Sequence, residues 1–364
     1  MSPSIRACFL LLSMVSAGCS RVVRDDDADT NVTPDPDRDA PASPSGDGSA
    51  PASCASGRAL TQLWVEEDST AIAVVVDATD VYATVEGYDG APGGVVAVPK
   101  EGGEPRWIAQ TKSGSKPWSI AQDASHVYWI EDARELRRAP KAGGGSVLLA
   151  TDGEPGEGGP GIEHIAVDDT HVYYAWAGGG GEVRRVPKVG GSVESFAVDQ
   201  AGPSSIAIDG DSVYWLNVGF EGQPLGSLKR APKAGGPEVT LAAGFRANAA
   251  GTPSLAIDAE AVYWSASVDG TLGKVSKLGG EATVLASGVE AQGLVVVDDT
   301  LYFTAPFVSD VENARHVYAL SSSGGALVEV AASNQFNPWG IAVDDHFVFW
   351  SSYVTTGPIF RACR

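Results

Sequence analysis

A short phrase recurs seven times along this chain, and no other feature restricts the fold as strongly. It reads IAVVVDATDVYA around Asp77, SIAQDASHVYW around Asp123, HIAVDDTHVYY around Asp168, SIAIDGDSVYW around Asp209, SLAIDAEAVYW around Asp258, GLVVVDDTLYF around Asp298 and GIAVDDHFVFW around Asp344. Successive copies lie 40 to 49 residues apart, the period of a propeller blade rather than of a short helical repeat. Each copy joins a β-branched run, an Asp-centred polar turn and a Val-Tyr-Trp-like run, which is a β-hairpin signature.

A second hairpin follows most copies: ELRRAPKAGGGSVLLA, EVRRVPKVGGSVESFA, SLKRAPKAGGPEVTLA, and the weaker GKVSKLGGEATVLA and YALSSSGGALVEVA. Their Pro-Lys-x-Gly-Gly core supplies the fixed and the permissive φ of a tight turn. One period is therefore four strands, and no stretch sustains a 3.6-residue pattern. The expected fold is all-β, a seven-bladed β-propeller of four-stranded blades, which leaves only short protected sheet edges.

The chain ends fit that count. Copy seven stops at IFRACR, one strand short, and CASGRALTQLWVEE near residue 54 holds a strand with no hairpin of its own. That strand, roughly Ala59 to Glu66, is expected to complete the last blade. Of four cysteines, Cys8 and Cys19 belong to the N-terminal segment, which leaves Cys54 and Cys363 for the domain. A disulfide between them would rejoin the interrupted turn and, over a loop of about 310 residues, contribute at most about 5 to 6 kcal/mol in the chain-entropy model. Two free thiols are the alternative.

The opening MSPSIRACFLLLSMVSAGCS has one Arg, an apolar run too short for a bilayer span, and small residues before Cys19. Ser16-Ala17-Gly18-Cys19 resembles the lipobox of bacterial lipoproteins, with Ser16 where Leu is usual. The resemblance implies a signal peptide over 1–18, acylation of Cys19 and anchoring at the cell envelope, with Ser20 favouring the outer membrane. An ordinary secretory signal, giving a secreted or periplasmic protein, is the alternative. Residues 19–53 carry no aromatic side chain and are rich in Asp, Pro and Ser, so they are expected to form a disordered acidic tether before a propeller over 54–364. Asp25 to Asp27 read as a solvated charge run within it rather than a calcium site.

With 46 acidic against 25 basic residues, the formal net charge is −21, which argues against nucleic acid as a partner. The membrane is expected to be touched through the lipid anchor only. No cofactor and no metal site is expected, and a monomer is expected.

The Ile-Ala-Val-Asp…Val-Tyr-Trp cadence, over roughly residues 59 to 364, is similar to the YWTD repeats of LDL-receptor-type propellers and to NHL-type propellers. With the lipobox and tether, the chain resembles myxobacterial propeller lipoproteins. It departs from true YWTD repeats after Trp129, Trp215, Trp264 and Trp350, where Ile-Glu, Leu-Asn, Ser-Ala and Ser-Ser replace Thr-Asp. The resemblance therefore implies a fold and no specific receptor-like partner.

The repeated Asp, Tyr and Trp residues are expected to cap turns and pack blades, because they occupy the same place in each copy. Function is expected where copies differ. The connections between second and third strands, and between blades, vary in length, and in an up-and-down blade both emerge on one face. There the innermost strands open with Trp118-Ser119, Glu163-His164, Ser204-Ser205, Pro253-Ser254, Gln292-Gly293 and Trp339-Gly340. Trp118, Ser119, Glu163, His164, Ser205, Gln292 and Trp339 are the candidate ligand-binding residues at the axial mouth, with Glu163 and His164 the ionisable pair. An unknown protein, a glycan or a small polar ligand is the expected partner. A hydrolase or lyase at the same mouth is an alternative, since virginiamycin-lyase-like propellers use a His with acidic neighbours. A structural or adhesive surface protein is another.

Overall fold

Alternation along each repeat buries Val and the second aromatic on one side of a strand and Tyr on the other, so every strand pair has two apolar faces to cover. Stacking blades side by side covers both. The computed structural model describes residue 54 and residues 60–112, 114–152, 161–219, 225–247, 254–308, 316–332 and 337–364. These form seven four-stranded antiparallel sheets and one two-stranded ribbon, Val289–Glu290 with Phe307–Val308. The expected signal peptide, Cys19 and the tether lie outside the described residues.

Blade 1 runs Ser69–Val76, Asp80–Gly87, Gly94–Pro99 and Arg106–Gln110; blade 2 runs Pro117–Gln122, His126–Glu131, Glu135–Pro140 and Val147–Thr151. Blade 3 is Ile162–Val167, His171–Trp176, Glu182–Pro187 and Glu194–Ala197; blade 4 is Pro203–Ile208, Ser212–Asn217, Gly226–Pro232 and Val239–Phe245. Blade 5 is Leu255–Ile257, Ala261–Ala266, Thr271–Ser276 and Thr283–Ser287; blade 6 is Leu294–Val297, Thr300–Ala305, His316–Ser321 and Val328–Ala332. Blade 7 takes Pro338–Val343, Phe347–Ser352 and Ile359–Cys363 from the C-terminus and Thr61–Trp64 from the other end. The innermost strands touch in sequence and the seventh returns to the first, closing a ring.

The closing strand pairs Thr61 with Arg361 and Gln62 with Phe360, and Cys54 is bonded to Cys363 with 5.6 Å between their Cα atoms. Both expectations for the chain ends therefore hold. Trp64 also fills a gap: at the blade 7/1 boundary the second strand of blade 1 has Ala83 where most copies have Trp, and buried Trp64 joins Ala83 and Phe349 in one cluster. Elsewhere the Tyr of one blade packs with the next blade's aromatic, as Tyr82 with Trp129, Tyr173 with Trp215 and Tyr302 with Trp350.

The Asp turns do more than cap. In blades 1 to 5 and 7, Oδ1 accepts the backbone N–H groups two and three residues on, as Asp77 does from Thr79 and Asp80 at 2.9 and 3.0 Å. In five of these the other oxygen accepts the Lys of the next blade's Pro-Lys-x-Gly-Gly turn or its equivalent: Lys100 to Asp344, Lys141 to Asp77, Lys188 to Asp123, Lys233 to Asp168 and Lys277 to Asp209, at 2.5 to 2.9 Å. Burial alone would raise these carboxyls, but the lysines and turn N–H groups outweigh it, holding Asp77, Asp123 and Asp168 well below the usual range and Asp209 down to about 2. Asp258 is the exception, because blade 6 has Ser322 in the lysine's place; it takes the Tyr263 hydroxyl at 2.6 Å.

Blade 6 corrects the expectation of seven equivalent Asp residues. Val297 pairs directly with Thr300, so Asp298 and Asp299 form a two-residue turn with φ of 46° and 59°. That is the left-handed geometry of a tight hairpin, which Asp tolerates. Val297, not Asp298, occupies the repeat position. Asp298 instead receives Arg364, which stands where other blades carry the lysine.

Candidate functional site

The face opposite the Asp turns is built by a second symmetric device that four blades keep and three lose. After the Val-Tyr-Trp triplet, blades 1, 5, 6 and 7 place Thr84, Ser265, Thr304 and Ser351, whereas blades 2, 3 and 4 place Ile130, Ala175 and Leu216. Thr84 accepts the Ala73 N–H at 3.0 Å and donates to the Trp118 carbonyl of the next blade at 2.7 Å. Thr304 does the same with Gly293 N–H and the Trp339 carbonyl, at 2.9 and 2.6 Å. Ser351 links Gly340 N–H to the Ile72 carbonyl, and Ser265 donates to Ala291. Two of these clamps fix the backbone of the two candidate tryptophans.

Both tryptophans sit in β-bulges. The register shifts between Pro117 and Ile120 in blade 2 and between Pro338 and Ile341 in blade 7, with comparable shifts at Ala71/Val74, Ile162/His164 and Pro203/Ser205. A bulge re-aims side chains that strict alternation would direct between blades. Here it brings Trp118 and Trp339, from blades separated by blade 1, into an edge-to-face contact with ring centres 6.5 Å apart and planes at 69°. Tyr353 stacks on Trp339 at 5.0 Å. Its loop is tied to the start of blade 1, where Thr70 donates to the Val354 carbonyl at 2.7 Å and Gly357 N–H to that of Ser69 at 2.9 Å.

The expected Glu163–His164 pair does not act on one space. As neighbours in one strand they point to opposite sides, and the two side chains line different hollows. Glu163 lines a cavity of about 430 Å³ with Trp118, Lys116, Asp132, Ala133, Ile162 and Gly114. His164 and Ser119 line a second, axial cavity of about 370 Å³ walled by Val74, Ile120, Leu294 and Ile341 among others. Burial pushes the Glu163 carboxyl up to about 7, and among the described residues it has no hydrogen bond or ion pair. Burial pulls the His164 imidazole down to about 4, against a backbone hydrogen bond at Ile206 that favours the charge. His164 is half-buried and lines the axial cavity, and among the described residues its Nδ1 has no hydrogen-bond partner.

The remaining candidates divide between packing and the mouth. Ser119 is buried and accepts the Ile165 N–H at 3.4 Å, linking blade 2 to blade 3. Among the described residues, buried Ser205 of blade 4 has no partner for its hydroxyl and Gln292 none for its Oε1, beside the Ser265 clamp. Gly161 packs against Ala133, which lines the Glu163 cavity: a Cβ on Gly161 would meet the Ala133 carbonyl oxygen at 2.0 Å. Sequence reasoning missed Tyr353 and Tyr88. Tyr88 lines a third hollow with Thr70, Tyr353, Val354 and Thr355, and its hydroxyl bonds buried Glu86 at 2.9 Å. Two of the three hollows draw on the loop sets that vary among copies, whereas the axial cavity is lined by the inner strands.

No protein-family model matches the chain, and no curated protein does. Solved structures match its fold. A catalytically inactive virginiamycin B lyase from Staphylococcus aureus, solved with quinupristin, is 14% identical, with a TM-score of 0.64 over 85% of this chain and 100% of that one. YCF48 bound to D1 peptide is 10% identical, TM-score 0.58, over 84% and 97%. A nidogen/laminin complex gives 15%, 0.51, 75% and 97%. These likenesses place the chain among β-propellers, alongside binding modules and a lyase.

Proposed function

We propose that this protein is an exported, lipid-anchored β-propeller that works at the cell envelope, at the outer membrane, as a monomeric binding module. It holds a protein, a glycan or a small polar ligand over the mouth lined by Trp118, Trp339, Tyr353 and Glu163. The observation that carries this reading is the contact between Trp118 and Trp339. Two bulges and two hydroxyl clamps hold large amphipathic rings at a place where blade symmetry breaks. Rigid aromatics beside hydroxyls suit partners with both apolar and polar surface. Nidogen with laminin and YCF48 with D1 peptide are propellers solved with partners, which supports the same use here.

Catalysis at this mouth is the second reading, favoured by a Glu163 carboxyl that titrates near neutrality. The divergence of Glu163 and His164 into separate cavities weighs against it, because an acid and a base must reach one substrate. A screen of glycan, peptide and metabolite libraries against the full chain tests the choice. Saturable binding without turnover supports the module, and turnover of a bound compound overturns it in favour of the lyase or hydrolase. The envelope address is tested separately by Cys19→Ala, which should abolish acylation and release the protein from membranes; a variant that still partitions wholly with detergent contradicts the anchor.

A further inference from the structure

Among the described residues Glu163 is an unpaired carboxyl, in a cavity that Trp118 also lines, and that combination selects a ligand chemistry. The cation nearest in the cavity is Lys116, but it is 69% exposed and reaches Glu86 at 3.9 Å rather than Glu163. Asp132 spends its Oδ1 on the Lys116 backbone N–H at 2.8 Å. Among the described residues the charged and titratable groups around Glu163 are Lys116 and Asp132 in the cavity lining and His164 beside it in the chain, and no ion pair links any of them to its carboxyl. An indole face attracts a cation through its quadrupole, and a desolvated carboxylate gains most from a cation that enters with it.

We propose that the cavity between Trp118 and Glu163 takes the alkylammonium group of a ligand, with the indole of Trp118 against the alkyl groups and Glu163 as counter-ion. The inference rests on the reading of the mouth as a binding site and names its ligand class. The cavity, at about 430 Å³, admits a quaternary or primary ammonium with the atoms that bear it. Glu163 must be ionised for the pair to form. Because its carboxyl stands near 7 in the free protein, binding releases a proton below that pH and weakens as the solution becomes more acid.

The test uses the full chain with choline and with its uncharged carbon isostere, dimethylbutanol, by calorimetry at about pH 6 and about pH 8 in buffers of different protonation heat. Choline should bind about tenfold more weakly at the lower pH, with proton release there, and dimethylbutanol should bind at least tenfold more weakly than choline at the higher pH. Glu163→Gln should weaken choline at least tenfold and remove the pH dependence; Trp118→Phe should weaken it several-fold and keep the pH dependence. Thermal melts of both variants separate lost binding from lost folding. A lysine amide probe set beside choline distinguishes an ammonium borne by a partner protein from a free one, and the tighter of the two names the source. Equal binding of choline and its isostere, an unchanged Glu163→Gln variant, or no choline binding at millimolar concentration overturns the proposal. An uncharged ligand that still requires Trp118 and Trp339 removes only the ammonium inference, whereas a ligand indifferent to both tryptophans removes the mouth reading itself.

Discussion

Lys141 of blade 2 reaches back to Asp77 of blade 1 at 2.8 Å and lies over the Tyr82 ring, 5.0 Å from its centre. The same triangle of Lys, Asp and Tyr recurs between blades 2 and 3, 3 and 4, and 4 and 5. A short turn sequence thus tells each blade where the next one docks. Arg185, Arg230 and Arg361 reinforce the belt by donating to the carbonyls of Lys233, Lys277 and Lys100.

Asp77→Ala should lower stability by about 2 kcal/mol, because it removes two turn hydrogen bonds and strands a lysine that is only 12% exposed. Asp298→Ala should cost under about 0.5 kcal/mol, since its side chain is 77% exposed and caps no turn. Paired chemical denaturation of the two variants checks the difference. Equal losses would contradict the assignment of Asp298 as the residue outside the repeat.

The belt also fixes an acid limit. Asp77, Asp123, Asp168 and Asp209 titrate lower in the folded chain than in the unfolded one, so the unfolded state takes up protons first as pH falls. Their contribution is complete above about pH 5 and is lost progressively as pH falls from there through about 2 and below. Melting temperature against pH should fall steeply in that window, and Asp→Asn changes at these positions should flatten the fall.

His164 adds a gentler slope at higher pH. Its folded value near 4 lies below the unfolded 6.5, so stability should decline as pH drops between the two, and His164→Gln should remove that decline. A slope unchanged in the variant would show that the axial cavity leaves the imidazole free to charge.

Reducing Cys54–Cys363, or replacing Cys363 by Ser, should destabilise the domain by up to about 5 kcal/mol and expose the Thr61–Trp64 strand to protease first. Cleavage starting elsewhere would contradict the role of this strand as the ring's closure.

Blade number, strand order and the closure by Thr61–Trp64 were legible because a β-hairpin phrase repeats in step with a turn phrase. The lysine belt was visible in outline, as Pro-Lys-x-Gly-Gly follows the Asp in blades 1 to 4, but linking Lys141 to Asp77 rather than to its own Asp123 requires the packing between blades. Asp298 was misplaced because Val297 fills the repeat position and an Asp follows it directly, so that aligning on Asp shifts the copy by one residue. The mouth was legible to the extent that Trp118, Glu163 and Trp339 break the repeat. Period-two alternation already sends neighbours such as Glu163 and His164 to opposite sides, which treating them as one pair overlooked, but it cannot anticipate a bulge, so the meeting of Trp118 with Trp339 emerged only in three dimensions. Tyr353 lies in a loop beyond the periodic strands and carried no sequence signal.

The central claim, that the mouth is the binding face, is tested most directly by the affinity of any ligand from the library screen for the Trp118→Ala, Trp339→Ala double variant. Leu278→Ala, which alters an 88% exposed side chain in a turn of the opposite face, serves as control. The double variant should bind more than tenfold more weakly with an unshifted melting temperature, and the control should bind as the parent does. Equal affinity in all three proteins, or a loss in the double variant matched by a fall in stability, would contradict the account.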